Sequence, residues 1–151
     1  MELKVGDKAP DFEATIQSGE KIRLSDYYGK KVVLYFYPKD NTPGCTAQSC
    51  NLRDNYDKLQ KNGYIVLGVS GDTEKSHLKF IEKQSLPFDL IADTEKEVHN
   101  LYGTWGEKSM YGKKYMGTLR TTFVIDEEGN IEQVIEKVKT KNHTEQIIGE
   151  E

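Results

Sequence analysis

A continuous apolar run, VVLYFY at residues 32–37, is the strongest constraint on the fold of this 151-residue chain. The run is rich in β-branched and aromatic residues and shows no alternation of apolar and polar positions, so it predicts a strand buried on both faces. A strand of that kind needs a packed layer against each face of its sheet. The run is far shorter than the ~20 apolar residues that cross a bilayer, so we expect no membrane partner.

Strand and helix patterns alternate along the rest of the chain. The predicted strands are DFEATI and EKIRL, forming an N-terminal hairpin that turns at Ser18–Gly19, then YIVLGVSG and PFDLIAD, and finally RTTFVID and IEQVIEKV as a second hairpin. The predicted helices run from Cys45 to about Asn62, over TEKSHLKFIEKQ with Leu78 and Ile81 inward, over EKEVHNLYG, and from Asn142. This order predicts an α/β fold with a mixed central sheet flanked by helices.

Length and charge exclude several classes of protein. A chain of 151 residues fits one domain, spanning 1–151, that buries roughly 68–70% of its unfolded surface. The net charge of -4, with no basic block, argues against a nucleic-acid partner. The N-terminus MELKVGDKAP carries charges where a signal peptide is apolar, so we expect a cytoplasmic protein. Cysteine pairs in that compartment are more often catalytic or redox-sensing than structural.

The two cysteines, Cys45 and Cys50, lie five positions apart in TPGCTAQSC. On a helix, Cys45 falls within about 20° of Leu52 on the inward face, whereas Cys50 lies about 160° from Leu52 on the outer face. Thr42 is a candidate N-cap and Pro43 suits the first turn. The Cys45 sulfur would then lie at the positive end of the helix dipole, which favours a thiolate.

Two alternatives to a reactive pair have weaker support. Buried cysteines are often inert small hydrophobes, but an outer-face Cys50 does not fill a core. Two cysteines with three scattered histidines (His77, His99, His143) give no four-ligand zinc set, and we expect these histidines at the surface or at helix caps. A disulfide would require the helix to open, because Cα atoms five residues apart are about 8.6 Å apart in a helix and bridging needs less than ~7 Å.

Several segments together resemble the peroxiredoxin family, in its peroxiredoxin Q or bacterioferritin-comigratory-protein branch. The segment FYPKDNTPGCTAQSCNLRD contains the Pro-x-x-x-Thr-x-x-Cys signature as Pro38, Thr42 and Cys45. Four further stretches match in the same order: GDKAPDF, VLGVSGD, YGTWGEKSMYGKKYMG and RTTFVIDEEGNI, followed by a closing KTKNH. The resemblance covers nearly the whole chain.

The resemblance implies a thioredoxin-like fold and the reduction of hydrogen peroxide and alkyl hydroperoxides. It implies that Cys45 is the peroxidatic cysteine and Cys50 the resolving cysteine. It places the Thr42 hydroxyl and Arg120 beside the thiolate, with Pro38 shielding the site. The family uses no metal or organic cofactor, takes electrons from thioredoxin or a glutaredoxin-like protein, and in this branch includes monomers, which we expect here.

Two other functions compete with a peroxidase. A thiol–disulfide oxidoreductase of the same fold would be expected to carry a CxxC motif, which this chain lacks. A non-enzymatic holdase or redox sensor needs exposed apolar surface, for which the charged sequence gives little support. We expect Arg53 to pair with Asp57, and Gln48 has no assigned role. The aromatic stretch Tyr102–Tyr115 allows a lid or a partner surface, but a packed loop is the favoured interpretation.

Overall fold

The computed structural model describes residues 3–149 and contains nine strands, five α-helices and one short 3-10 helix (Leu24–Tyr27) in that range. The strands are β1 (Glu13–Thr15), β2 (Lys21–Arg23), β3 (Lys31–Phe36), β4 (Tyr64–Ser70), β5 (Asp89–Ala92), β6 (Trp105–Met110), β7 (Lys113–Thr118), β8 (Thr121–Ile125) and β9 (Ile131–Ile135). The helices are α1 (Pro43–Asp54), α2 (Tyr56–Lys61), α3 (Glu74–Gln84), α4 (Glu97–Tyr102) and α5 (His143–Ile148).

The central sheet is mixed, as the sequence predicts. Its strand order is β5-β4-β3-β8-β9, with β3, β4 and β5 parallel and β8 antiparallel to both of its neighbours. The predicted N-terminal hairpin is confirmed as the β1–β2 pair. Its turn contains Gly19 at φ +89°, a conformation that glycine adopts without steric cost.

Strand β3 is buried on both faces, and this burial organises the core. Val32, Leu34 and Phe36 pack with the N-terminal hairpin and α4 on one face of the sheet. Val33 and Tyr35 pack on the other face with α1, α2, α3 and α5. Because neighbouring side chains of a strand point to opposite faces, an uninterrupted apolar run supplies both layers.

The helix expected from Cys45 to about Asn62 is divided in two. Asn55 has φ -110° and ψ 13°, outside the helical range, and it separates α1 from α2. Its side-chain Nδ2 donates to the Asn51 carbonyl at 2.8 Å. Asparagine competes with helical hydrogen bonding in this way, which explains the break.

The inward face of α3 differs from the sequence-based expectation. Leu78 is 44% exposed, and His77 and Phe80 are the fully buried residues of this helix. The expectation that all three histidines lie at the surface or at helix caps is wrong, since His77, His99 and His143 are all 0% exposed. Hydrogen bonds to both nitrogens of each ring make this burial possible, because they replace water.

The stretch expected to be a packed loop is a two-stranded antiparallel hairpin, β6–β7. Its turn residues Tyr111 and Gly112 both have positive φ, the combination found in tight hairpin turns. Most of its side chains are exposed. Within residues 3–149, no helix is long and apolar enough to cross a membrane.

Candidate active site

The candidate site lies where β3 ends and α1 begins. Phe36 is the last residue of β3, Pro38 follows half-buried in the connecting loop, and Thr42 is the N-cap of α1 by its extended backbone. The Thr42 hydroxyl does not cap the helix as expected; it donates to the Lys39 carbonyl at 2.8 Å. The first turn of α1 therefore keeps backbone N–H groups without an acceptor in the helix, and they lie at the positive end of its dipole.

Cys45 lies in this first turn and is 1% exposed. Arg120 Nη2 is 3.1 Å from its Sγ. The register of the sheet explains the proximity, because Thr121 pairs with Phe36 and Arg120 therefore enters at the edge where β3 ends. The structure thus brings together Cys45 and Arg120, two of the residues that the resemblance names.

Gln48, to which the sequence assigns no role, lies beside Cys45 and Arg120. It is fully buried one turn after Cys45, and its Oε1 accepts a 2.5 Å hydrogen bond from Arg120 Nη1. The Gln48 Nε2 atom is buried without a hydrogen-bond partner. The spacing in the sequence indicates this position, because residues three apart in a helix share a face and Gln48 follows Cys45 at that interval.

Cys50 lies on the same helix, and both cysteines are free thiols. It was expected on the outer face, but it is half-buried, because the C-terminal end of α3 covers it and Cys50 Sγ lies 3.5 Å from Gln84 Oε1. Arg53 also turns towards this end of α3, donating to the Gln84 carbonyl at 2.6 Å and pairing with Asp54 instead of Asp57. Only the tertiary packing of α3 on α1 reveals these contacts.

A buried polar network holds the loop that contains Pro38 and Thr42. Asp40 accepts hydrogen bonds from the Tyr37 hydroxyl at 2.6 Å and from Ser76 at 2.8 Å, and its Oδ2 is 2.8 Å from His77 Nδ1. The Asp40 N–H donates to Asp72 at 2.8 Å. Burial, and then the neighbouring Tyr35 and Asp40, raises the pKa of Tyr37 well above its usual value, so its hydroxyl keeps its proton. The loop is thereby fixed to β4 and α3.

The same network includes the group of possible metal ligands found among residues 3–149. Ligand atoms of Asp40, Asp72 and His77 lie within 4.8 Å of one another. His77 Nε2 faces the Ile91 carbonyl at 2.8 Å, and because a carbonyl only accepts, this nitrogen carries a proton. The other ring nitrogen is engaged by Asp40, so neither ring nitrogen is available to a metal while these bonds hold.

Comparisons with known proteins agree with this geometry. Residues 5–134 match the model of the AhpC/TSA family. The chain is 48% identical over 149 residues to a putative peroxiredoxin bcp of Coxiella burnetii, covering 99% of both chains. It is 44% identical over 148 residues to peroxiredoxin Bcp of Bacillus subtilis, covering 98% of this chain and 94% of that protein.

Solved structures show the same fold. A peroxiredoxin Q variant of Xylella fastidiosa superposes with a TM-score of 0.91 at 31% identity, covering 98% of this chain and 94% of that one. A bacterioferritin comigratory protein of Xanthomonas campestris, described for its alkyl peroxide reduction activity, gives a TM-score of 0.88 at 33% identity, covering 96% and 95%. This chain therefore belongs to the AhpC/TSA family of peroxiredoxins, in the branch of the peroxiredoxin Bcp and peroxiredoxin Q proteins.

Proposed function

We propose that this chain is a thiol-dependent peroxidase that reduces hydrogen peroxide and organic hydroperoxides at Cys45. The observation that carries the proposal is the 3.1 Å contact between Arg120 Nη2 and Cys45 Sγ in the first turn of α1. A permanent cation and a helix N-terminus at one sulfur both favour its thiolate form. The alkyl peroxide reduction described for the Xanthomonas campestris relative supports the substrate class.

In the first chemical step, the Cys45 thiolate attacks the terminal oxygen of the hydroperoxide. The sulfur–oxygen bond forms as the oxygen–oxygen bond breaks, so Cys45 becomes a sulfenic acid and an alcohol or water leaves after taking up a proton. Arg120 stabilises the charge that develops on the leaving oxygen. The Thr42 hydroxyl donates its hydrogen bond to the Lys39 carbonyl, so the lone pairs of its oxygen are left to accept a hydrogen bond from the hydroperoxide O–H. We assign to Pro38 the shielding of the Cys45 sulfur from water.

Thiolate supply alone does not make a fast peroxidase. A thiol of ordinary acidity is only a few per cent thiolate at neutral pH, so complete ionisation gains at most ~30-fold. Nucleophilicity falls as thiol acidity rises, with a Brønsted slope of roughly 0.4–0.5. The larger contribution therefore comes from holding the hydroperoxide in line with the sulfur, the task that we assign to Thr42 and Arg120.

In the second step, the Cys50 thiol attacks the sulfenic sulfur, releasing water and forming an intramolecular disulfide. Both cysteines lie on the intact helix α1, where the Cα separation of about 8.6 Å is too long for a disulfide. The first part of α1 must therefore open. We expect far-UV circular dichroism and hydrogen exchange to show less helix around residues 45–50 after oxidation; an oxidised protein with α1 fully protected would contradict this step.

In the third step, a dithiol protein such as thioredoxin, or a glutaredoxin-like protein, reduces the disulfide and is itself oxidised. The cycle uses no metal or organic cofactor. We further propose that the chain acts as a monomer in the cytoplasm.

The test is peroxide consumption by the Cys45→Ser and Cys50→Ser variants with thioredoxin and its reductase. Cys45→Ser should lose turnover entirely, and residual peroxidase turnover in this variant would refute the assignment. Cys50→Ser should still form a sulfenic acid that dimedone traps after one equivalent of peroxide. It should lose efficient recycling and over-oxidise more readily, because the resolving thiol is absent.

A further inference from the structure

The β6–β7 hairpin concentrates the exposed apolar surface of the molecule. Among residues 3–149, eight large hydrophobic side chains are exposed, and four of them lie on this hairpin: Met110, Tyr111, Tyr115 and Met116. Tyr111 is 97% exposed at the tip and has φ 52°, a conformation that aromatic residues rarely adopt. Isolated exposed hydrophobic residues are ordinary, whereas a contiguous exposed apolar patch marks an interaction site. The strand register places Met110 and Tyr115 on the same face of the hairpin, next to Tyr111 at the tip.

The hairpin is also cationic in an acidic molecule. Residues 105–118 contain Lys108, Lys113, Lys114 and one acidic residue, Glu107, for a net charge of +2. The chain as a whole carries -4, so the rest of the molecule carries -6. A cationic and aromatic surface of this kind is complementary to an acidic protein partner.

The base of the hairpin is fixed to the core, so its orientation is defined. His99 packs edge-on against Trp105, with ring centroids 5.8 Å apart, and its Nε2 is 2.9 Å from Thr118 Oγ1. Lys96 Nζ lies 4.9 Å from the centroid of the Trp105 ring. The Leu119 N–H donates to the Thr104 carbonyl at 2.7 Å, closing the base of the hairpin. These contacts fix the base of the hairpin on the core.

The hairpin begins beside the Cys45 sulfur. Strand β7 ends at Thr118, and Arg120, two residues later, contacts Cys45 Sγ. Each strand of the hairpin has six residues and is therefore about 20 Å long. A small domain of about 100 residues has a radius of gyration of about 13 Å, so a partner on the hairpin can still reach the sulfurs.

We propose that the β6–β7 hairpin is the docking surface for the protein that reduces the Cys45–Cys50 disulfide, and that this partner is a small dithiol protein with an acidic surface near its reactive sulfurs. The inference rests on the peroxidase function proposed above. In the docked pair, a thiolate of the partner attacks one sulfur of the disulfide and releases the other as a thiolate. The second thiol of the partner then cleaves the mixed disulfide, leaving this chain reduced and the partner oxidised.

The test compares two reductants on the same two variants. One is a double variant that combines Lys113→Glu and Lys114→Glu, and the other is the single variant Tyr111→Asn. Thioredoxin of Escherichia coli with its reductase requires docking, whereas dithiothreitol does not. The charge-reversed double variant should raise the KM for thioredoxin roughly tenfold and weaken its dependence on salt, because surface charges act chiefly on association. Tyr111→Asn should also raise this KM, while both variants keep wild-type turnover with dithiothreitol. Asparagine tolerates the backbone of residue 111, so the hairpin itself is preserved.

Matched controls exist at the opposite end of the sheet, where β3 and β4 begin. Lys30→Glu with Lys61→Glu makes the same change in net charge on exposed residues, and Val5→Ser removes an exposed apolar side chain. These controls should keep the wild-type KM for thioredoxin.

Docking at the hairpin would be overturned by an unchanged KM in the hairpin variants, by an equal loss in the controls, or by a parallel loss with dithiothreitol. A change in oligomeric state would overturn it as well, because it would assign the hairpin to self-association. If the wild-type protein turns over with dithiothreitol but not with thioredoxin, docking at the hairpin is also overturned, while the peroxidase function stands. Absence of turnover with both reductants would instead refute the proposed function.

Discussion

At the scale of single residues, the site depends on a chain of contacts that starts at the sulfur. Arg120 contacts Cys45, and Gln48 in turn holds the second nitrogen of the guanidinium. The planar fork of arginine allows this division, with one nitrogen for the sulfur and another for its own anchor. Gln48 is thus a positioning residue that acts through Arg120.

Replacement of this anchor should slow the peroxide step more than it affects folding. In Gln48→Ala, Arg120 loses a charge-assisted hydrogen bond, and small displacements of a positioned group carry large kinetic costs. We expect the second-order rate constant for sulfenic acid formation to fall by about tenfold or more, as measured by stopped-flow fluorescence of Trp105. Gln60→Ala, at an exposed position on α2, is the control. A wild-type rate in Gln48→Ala would remove Gln48 from the site.

His143 gives the molecule a dependence of stability on pH. Burial is the largest cause that lowers its pKa below 6.5, and the charge of Arg120 adds to it, outweighing the opposing hydrogen bond with Gln146. The unfolded chain therefore binds a proton at higher pH than the folded chain. Below about pH 6.5, the stability that neutral His143 provides is lost progressively as pH falls, by up to about 1.4 kcal/mol per pH unit.

The corresponding measurement is urea unfolding between pH 7 and pH 5. His143→Gln should show a smaller fall in the free energy of unfolding over this range than the wild type, whatever its stability at pH 7. Equal slopes for the two proteins would show that His143 does not contribute.

At the scale of elements, α1 is held at several points between and just beyond its cysteines. Ser49 Oγ is 2.8 Å from the Tyr35 hydroxyl, which links the middle of the helix to β3. Asn51 accepts from both the backbone and the hydroxyl of Thr144, each at 2.8 Å, and donates to Lys141. Asn51 thereby fixes α5 to α1 just beyond Cys50, so we expect the opening of α1 on oxidation to stop there.

Loss of the Asn51 side chain should weaken this junction. Asn51→Ala removes three hydrogen bonds, each worth about 1 kcal/mol. It leaves the Thr144 N–H without its acceptor, while the Thr144 hydroxyl keeps only its 3.4 Å contact with the Asn51 backbone carbonyl. We expect a loss of about 2–4 kcal/mol in the free energy of unfolding, measured by urea denaturation. Asn100→Ala, at an exposed position in α4, should change it by less than about 0.5 kcal/mol. Similar values for the two variants would contradict the role of Asn51 as an anchor.

At the scale of the whole molecule, the mixed sheet brings together groups that are distant in sequence. The parallel strands β3 and β4 and the antiparallel strand β8 place Thr42, Cys45 and Arg120 at one edge. The Asp40 network fastens the same edge to α3. That residues 1–151 form one domain stays a prediction.

Oxidation should lower the stability of the whole chain. A disulfide that closes so short a loop contributes only about 2 kcal/mol. Opening α1 costs the Arg120–Gln48 and Tyr35–Ser49 hydrogen bonds together with helical turns, and a charge-assisted bond alone is worth about 1.5–3 kcal/mol. We expect the disulfide form to unfold at lower urea concentration than the dithiol form, in matched denaturation curves followed by circular dichroism. A more stable oxidised form would show that α1 keeps most of its contacts.

The sequence by itself determined the fold class and most of the elements. The apolar run at residues 32–37 required burial on both faces, and the TPGC segment that follows four residues later placed Cys45 at a helix start. These features are local, because periodicity and capping act within a few residues of the chain. Arg120 could be selected from the sequence only through the family resemblance.

Tertiary structure decided the remainder, because long-range contacts leave no periodic trace in the sequence. The burial of His77 depends on partners in the loop after β3 and in β5. The partial burial of Cys50 depends on the end of α3, and the role of Gln48 depends on Arg120, 72 positions away. Each polar group became compatible with burial only when a distant segment supplied its hydrogen bond, and that matching is a property of the folded chain alone.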